Sequence, residues 1–250
     1  MYSQNNLYIP EGEQYSTYAA PGAIASMDGG QRWPLGTQAC AQDGRKYRFA
    51  RAAGTAIAPG DLLQAAANAA SDVNVTAIAV AAASRSLTAI TTNPTVINRY
   101  AEGYVNVSVT PGAGQSYLIN DHAAGTTAAI TFNLAAGHSI RVALTTTSRL
   151  DFIANPYKSV MEAPVTTGTA VKVGVAVSTP GTTLHCWVQT RGIASVFTSG
   201  TLVLGCPAAY IQVARAVGPV AAVATDAIVG FVQRVSAGSA WSDIFLTIDG

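Results

Sequence analysis

Three histidines, three cysteines and 13 carboxylates are the residues of this 250-residue chain whose types bear on catalysis or metal binding. Glycoside hydrolysis needs two carboxylates facing one another, one of them with a raised pKa. The acids here are scattered and stand mostly beside glycine or turn residues. Nucleophilic chemistry would join His122, His138 or His185 to a serine or cysteine. Asp121 and His122 fall in a loop-like stretch, His138 follows Gly137 at a turn, and His185 and Cys186 are neighbours that a strand would point to opposite sides. No GxSxG, HExxH or P-loop pattern occurs. Isolated histidines give no metal-ligand spacing. The sequence thus predicts no catalytic residue, no metal and no cofactor.

A second cluster speaks to binding. Arg45, Lys46, Arg48 and Arg51 interleave with Tyr47 and Phe49, a pattern that suits stacking and phosphate contact. Yet 14 cations against 13 anions leave a formal net charge of +1, which excludes the broad basic footprint of a generic nucleic-acid binder. The simplest reading is an edge strand protected by charges, with ion pairs to an acidic partner as the other. Cys40, Cys186 and Cys206 cannot all pair within one chain and are expected as small buried hydrophobes made in a reducing cytoplasm. No signal peptide is visible at the start. The most apolar stretch, 216–232, contains Pro219 and Asp226 and is too short to span a bilayer, so no membrane partner is expected.

The elements that position these residues read as β. Apolar volume comes from 46 Ala and 24 Val rather than from large side chains. Val105, Val107 and Val109, Ile130, Phe132 and Leu134, Ile140, Val142 and Leu144, the row Val171 to Val177, and Ile244, Leu246 and Ile248 recur at period two between glycine and proline turns. The expected fold is an all-β sandwich or barrel-like body, in one piece or as two β subdomains, with an extended N-terminal arm. The expected divisions are 1–33 for the arm, 34–164 for one β-rich subdomain and 165–250 for another packed on it. Residues 61–72 suit a short helix and a small-residue strand equally.

The arm has no persistent period and cannot build a core. It reads either as a disordered tail or as a segment that orders on a partner. In the second case Tyr2, Tyr8, Tyr15 and Tyr18 would anchor it, with Glu11 and Glu13 pairing to cations. Only 11% of residues are charged, fewer than a free-standing surface usually carries.

Several stretches resemble structural proteins of tailed bacteriophages, cyanophages and related marine phages in particular. They include Leu35-Gly36-Thr37, the run from Asp43 to Ala50, Ala58-Pro59-Gly60-Asp61-Leu62-Leu63, Gly112 to Ile119, Asn155-Pro156-Tyr157-Lys158, Trp187 to Gly192 and the run from Leu246 to Gly250. Within that group the fit is to capsid decoration, or cement, proteins. The resemblance implies a non-enzymatic homotrimer on the outside of the capsid that bridges major-capsid subunits, often through an N-terminal arm. Residues 1–33 lie outside the matching region. The alternative is a receptor- or glycan-binding module on a tail or fibre, where Trp33, Trp187 or Trp241 would stack on sugar rings.

Overall fold

A computed structural model describes residues 7–8, 27, 29–41, 43–91, 96–125, 129–221, 226–236 and 240–249. The all-β expectation is met. In chain order the strands are β1 (Leu7–Tyr8), β2 (Gln38–Ala41), β3 (Lys46–Arg51) and β4 (Leu62–Gln64), then β5 (Val75–Ala77), β6 (Ser86–Ile90), β7 (Tyr104–Val109), β8 (Ser116–His122), β9 (Ala129–Leu134) and β10 (Arg149–Ile153). They continue as β11 (Met161–Glu162), β12 (Lys172–Ala176), β13 (His185–Phe197), β14 (Pro207–Tyr210), β15 (Val217–Pro219), β16 (Ile228–Arg234) and β17 (Trp241–Thr247).

The chain forms two units, one discontinuous (Met1–Ala66 with Pro156–Gly250) and one inserted within it (Ala67–Asn155). The seam expected at 164/165 falls instead inside the first unit, between β11 and β12. Its proline and glycine mark a loop, and a loop and a domain boundary use the same turn chemistry. The stretch 61–72 is neither a continuous helix nor a continuous strand. It holds β4 and a 3-10 turn at Ala70–Asp72.

The inserted unit is a closed antiparallel barrel in the order β10-β5-β6-β9-β8-β7, with β7 pairing back to β10. Period-two patterning builds it: Ile130, Phe132 and Leu134 point inward beside Val105, Val107, Tyr117, Ile119, Leu150 and Phe152. Ile140, Val142 and Leu144 are not a strand. Ile140 and Leu144 are buried, and their amides bond the Ser84 and Val80 carbonyls as an irregular segment. His122 belongs to β8, not to a loop; its Nε2 accepts from the Tyr100 amide at 3.1 Å and its Nδ1 donates to the Ala123 carbonyl at 2.8 Å. Asp72 accepts from the Tyr100 hydroxyl at 2.6 Å and pairs with Arg99 at 3.1 Å. These bonds satisfy polar groups that would be costly to bury alone. Because all six strands and their core lie in one continuous segment, residues 67–155 expressed alone are expected to melt cooperatively with a β-type circular dichroism spectrum. A spectrum without β signal would refute this.

In the discontinuous unit, the main path of the sheet runs β1-β2-β3-β13-β17-β16-β14-β15, with β12 joining β13 to β4 and β11 closing on β4. The 13-residue β13 is its spine, pairing with β3 along its first half and β17 along its second. Two buried clusters fill its inner faces beside an aromatic group of Tyr47, Phe49 and Trp187. Gly230 lets β16 lie against β17: a Cβ there would stand 2.1 Å from the Phe245 carbonyl oxygen.

Candidate functional site: an apolar sheet face and a tryptophan cleft

On β13, β17 and β16 the inward positions, Ala194, Val196, Ile244, Leu246, Val229 and Val232, belong to the core. Alternation then sends their neighbours outward. Register sets Ile193 opposite Phe245, Phe245 opposite Phe231, and Phe231 opposite Pro207 on β14. These outward side chains stay exposed: Ile193 by 52%, Phe245 by 39% and Phe231 by 44%. The next row places Ser195 opposite Asp243 and Asp243 opposite Arg234, where the two charges pair at 2.8 Å. The result is an apolar ladder across four strands, bordered on one side by the paired Asp243 and Arg234 and on the other by Arg191 opposite Thr247. Adjoining exposed apolar side chains of this kind make this face the candidate contact surface.

Sequence reasoning picked out Ile244 and Leu246 but passed over Phe245 between them. The available signal was the unbroken run Ile244-Phe245-Leu246, and likewise Phe231-Val232. Apolar residues at both parities give a strand two apolar faces, of which this unit buries one.

At the start of β17 the chain builds a cleft of about 570 Å³, lined by Pro59, Gly60, Val175, Gln189, Ser195 and Trp241 among others. The Pro59-Gly60 turn forms one wall. It is fixed by the Gly60 amide bonded to the Ala176 carbonyl at 2.8 Å, the Phe197 amide bonded to the Gly60 carbonyl at 2.9 Å, and the Asp61 carboxylate accepting from the Ala58 amide at 2.7 Å. Gly60 has φ +89°, and a Cβ there would meet the Trp241 Nε1 at 2.5 Å, so only glycine admits the indole. Trp241 also donates from Nε1 to the Pro59 carbonyl at 3.3 Å and meets Phe197 edge to face at 5.4 Å, yet remains 50% exposed. The other two tryptophans differ: Trp187 is buried, and Trp33 is half-buried against it and Phe49.

Sequence reasoning did not join Asp61 to Glu162. Burial pushes both carboxyls up; the Ala58 amide and Arg215 oppose the rise at Asp61, while the Asp61 charge adds to it at Glu162. Arg215 stands 3.6 Å from the buried Asp61 Oδ1, so this group reads as the closure behind the Pro59-Gly60 turn. Of the three cysteines expected to be buried only Cys186 is, its thiol pushed up to about 12 by burial, which keeps it inert; Cys40 is half-buried and Cys206 exposed. Among the described residues no group of three or more His, Cys, Asp or Glu side chains is placed to hold a metal.

The basic cluster requires a correction. β3 is not an edge strand, because β2 flanks it on one side and β13 on the other. Lys46 and Arg48 alternate with inward Tyr47 and Phe49, and the heads of the three arginines are held within the chain. Arg48 donates to both oxygens of Asp249, at 2.7 and 3.0 Å, and to the Gly36 carbonyl at 2.8 Å. Arg45 pairs with Asp43 at 2.7 Å, and Arg51 bonds the Thr183 carbonyl at 3.1 Å. Lys46 lies opposite Arg191 on β13. Of the expected arm anchors, Tyr8 lies in β1, where its backbone pairs with Cys40 at the sheet edge. Tyr2, Glu11, Glu13, Tyr15 and Tyr18 lie outside the described residues.

The Arg48–Asp249 pair carries a pH signature. Partial burial pushes the Asp249 carboxyl up. The Arg48 bonds and charge, with Lys46 and the Thr190 hydroxyl, outweigh that and hold it below the usual carboxylate value. A carboxyl lowered in the folded state adds stability that is present above its unfolded value and lost as pH falls through the folded one. Asp249→Asn is therefore expected to lower the melting temperature at pH 7 and to lose less than the intact chain below about pH 4. Parallel pH–melting curves for the two proteins would remove the assignment.

Comparison with known proteins gives no match: no family model, no curated protein and no solved structure is similar to this chain. Among the described residues no helix is long and apolar enough to cross a membrane.

Proposed function

We propose that this chain is a structural virion protein that binds the outside of a phage capsid and cements neighbouring major-capsid subunits. The observation that carries the reading is the exposed ladder of Ile193, Phe245 and Phe231, flanked by the self-neutralising Arg234–Asp243 pair. Such a face loses little by leaving water against another protein. Burying each of its half-exposed side chains is worth about 1 kcal/mol, and the Arg234 and Asp243 charges on one border are already paired.

Further support comes from the low charge content and from β1, whose backbone pairs with β2 as the terminal strand of the sheet. In this reading a second contact is made by Tyr2, Tyr8, Tyr15 and Tyr18, with Glu11 and Glu13, and the chain acts as a homotrimer. It is made in the host cytoplasm and resides on the virion. A clamp that binds only the expanded lattice lowers the free energy of that lattice by mass action, and many weak copies act together.

The test is co-sedimentation of the purified chain with expanded phage shells lacking their decoration protein. Saturable binding in the hundreds of copies per shell is expected on this reading. Binding confined to a dozen or fewer tail positions would favour the tail or fibre alternative. No binding to any part of the particle would defeat both.

A further inference from the structure

The cleft beside Trp241 adjoins the apolar ladder through Ser195 but holds none of the ladder's side chains Ile193, Phe245 and Phe231, and its chemistry is specific. Gln189 is 2% exposed. Its Nε2 donates to the Arg191 carbonyl at 3.1 Å and to the Ile193 carbonyl at 2.9 Å. Two carbonyl acceptors fix which end of the amide carries the nitrogen. Its Oε1 therefore sits at the opposite end, accepts no hydrogen bond among the described residues, and belongs to a side chain that lines the cleft. An acceptor fixed this way on a buried side chain, with its oxygen open to the cleft, favours an incoming donor. Ser195, exposed at the same cleft, adds a hydroxyl that either donates or accepts. The half-open indole of Trp241 supplies a flat apolar platform, fixed by the Gly60 backbone and the Pro59 carbonyl.

Among the described residues no ionisable side chain lines the cleft. An anionic or cationic ligand would find no counter-charge there and would lose hydration on entry. The fitting ligand is neutral, with one flat C–H face for the indole and hydroxyl donors around its rim for Gln189 and Ser195. A pyranose ring has that form, and a volume of about 570 Å³ lies within the usual range for small-molecule sites. We infer that this cleft is a binding site for a neutral saccharide, seated on Trp241 and hydrogen-bonded by Gln189 and Ser195. On a particle surface, such a site would let the chain hold host-surface or medium glycans while its apolar ladder holds the shell.

The full chain would be titrated with neutral di- to tetrasaccharides of glucose, galactose, mannose and N-acetylglucosamine. Tryptophan fluorescence and saturation-transfer NMR would read out binding. At least one sugar is expected to bind and to perturb Trp241. Trp241→Ala is expected to weaken it at least tenfold and Trp241→Phe by less. Ser195→Gln, which fills the cleft from an exposed position, is expected to weaken it without touching the indole and serves if Trp241→Ala does not fold. Absence of binding by every sugar in the panel would overturn the inference, as would binding that survives both Trp241→Ala and Ser195→Gln unchanged. Shell co-sedimentation of the Trp241 variants separates the two proposals, because loss of sugar binding through the indole is expected to leave shell binding intact, whereas Ser195 adjoins the ladder.

Discussion

Phe231→Asp combined with Phe245→Asp is expected to reduce binding to expanded shells by a factor of 100 or more while leaving the protein folded. The two rings face each other across β16 and β17 at the centre of the exposed ladder. Removing two half-exposed rings gives up about 2 kcal/mol of contact burial. Pressing two carboxylates against an apolar partner adds a desolvation penalty of several kcal/mol more. The fold has less at stake, because Ile244, Leu246, Val229 and Val232 carry the inner face of the same strands. Phe231→Thr with Phe245→Thr keeps β propensity, adds no charge and is expected to give the smaller loss that burial alone predicts. Cosedimentation isotherms measure the first quantity and thermal melts the second. Equal shell affinity for the Asp variant and the intact chain would remove this face from the interface.

The second large effect concerns stability. Trp187→Ala is expected to cost roughly 3–5 kcal/mol, because an indole is removed from a site that cannot collapse. Trp187 is buried at the meeting of β3 and β13, 5.2 Å from the Phe49 ring and 5.4 Å from Trp33, and the backbone around it is held by sheet pairing. At 2–4 °C per kcal/mol for a unit of this size, the melting temperature should fall by roughly 6–20 °C. Trp241→Ala, at a half-exposed ring, should cost far less. Similar melting temperatures for the two alanine variants would mean that the aromatic cluster is not the anchor of this unit.

The contrast between these tryptophans shows where the sequence was legible and where it was not. Strand identity is a local property, so the period-two rows at Val105 and Val107, at Ile130 to Leu134 and at Ile244 to Leu246 announced their strands. Pairing is not local. The barrel closes through β7 against β10 and β5 against β10, contacts that no short window contains, and its insertion between Ala66 and Pro156 was hidden for that reason. The basic cluster misled in the same way: charges at alternate positions describe an edge, but Arg48 meets Asp249 from 201 residues away, and that bond settles the charge inside the chain. Trp187 and Trp241 both begin or sit within β-rich runs. Only the seat of one on Gly60 and the enclosure of the other by Phe49 and Trp33 tell platform from core. Gly60 itself was legible as a turn, since Pro59-Gly60 is turn chemistry, but not as the residue that admits an indole.

A density map of the intact particle tests the central claim most directly. The account predicts the chain in many copies on the outer shell, with the ladder of Ile193, Phe245 and Phe231 pressed against capsid subunits at their junctions. A map in which that ladder points to solvent, or in which the shell carries no copy of the chain, would contradict it.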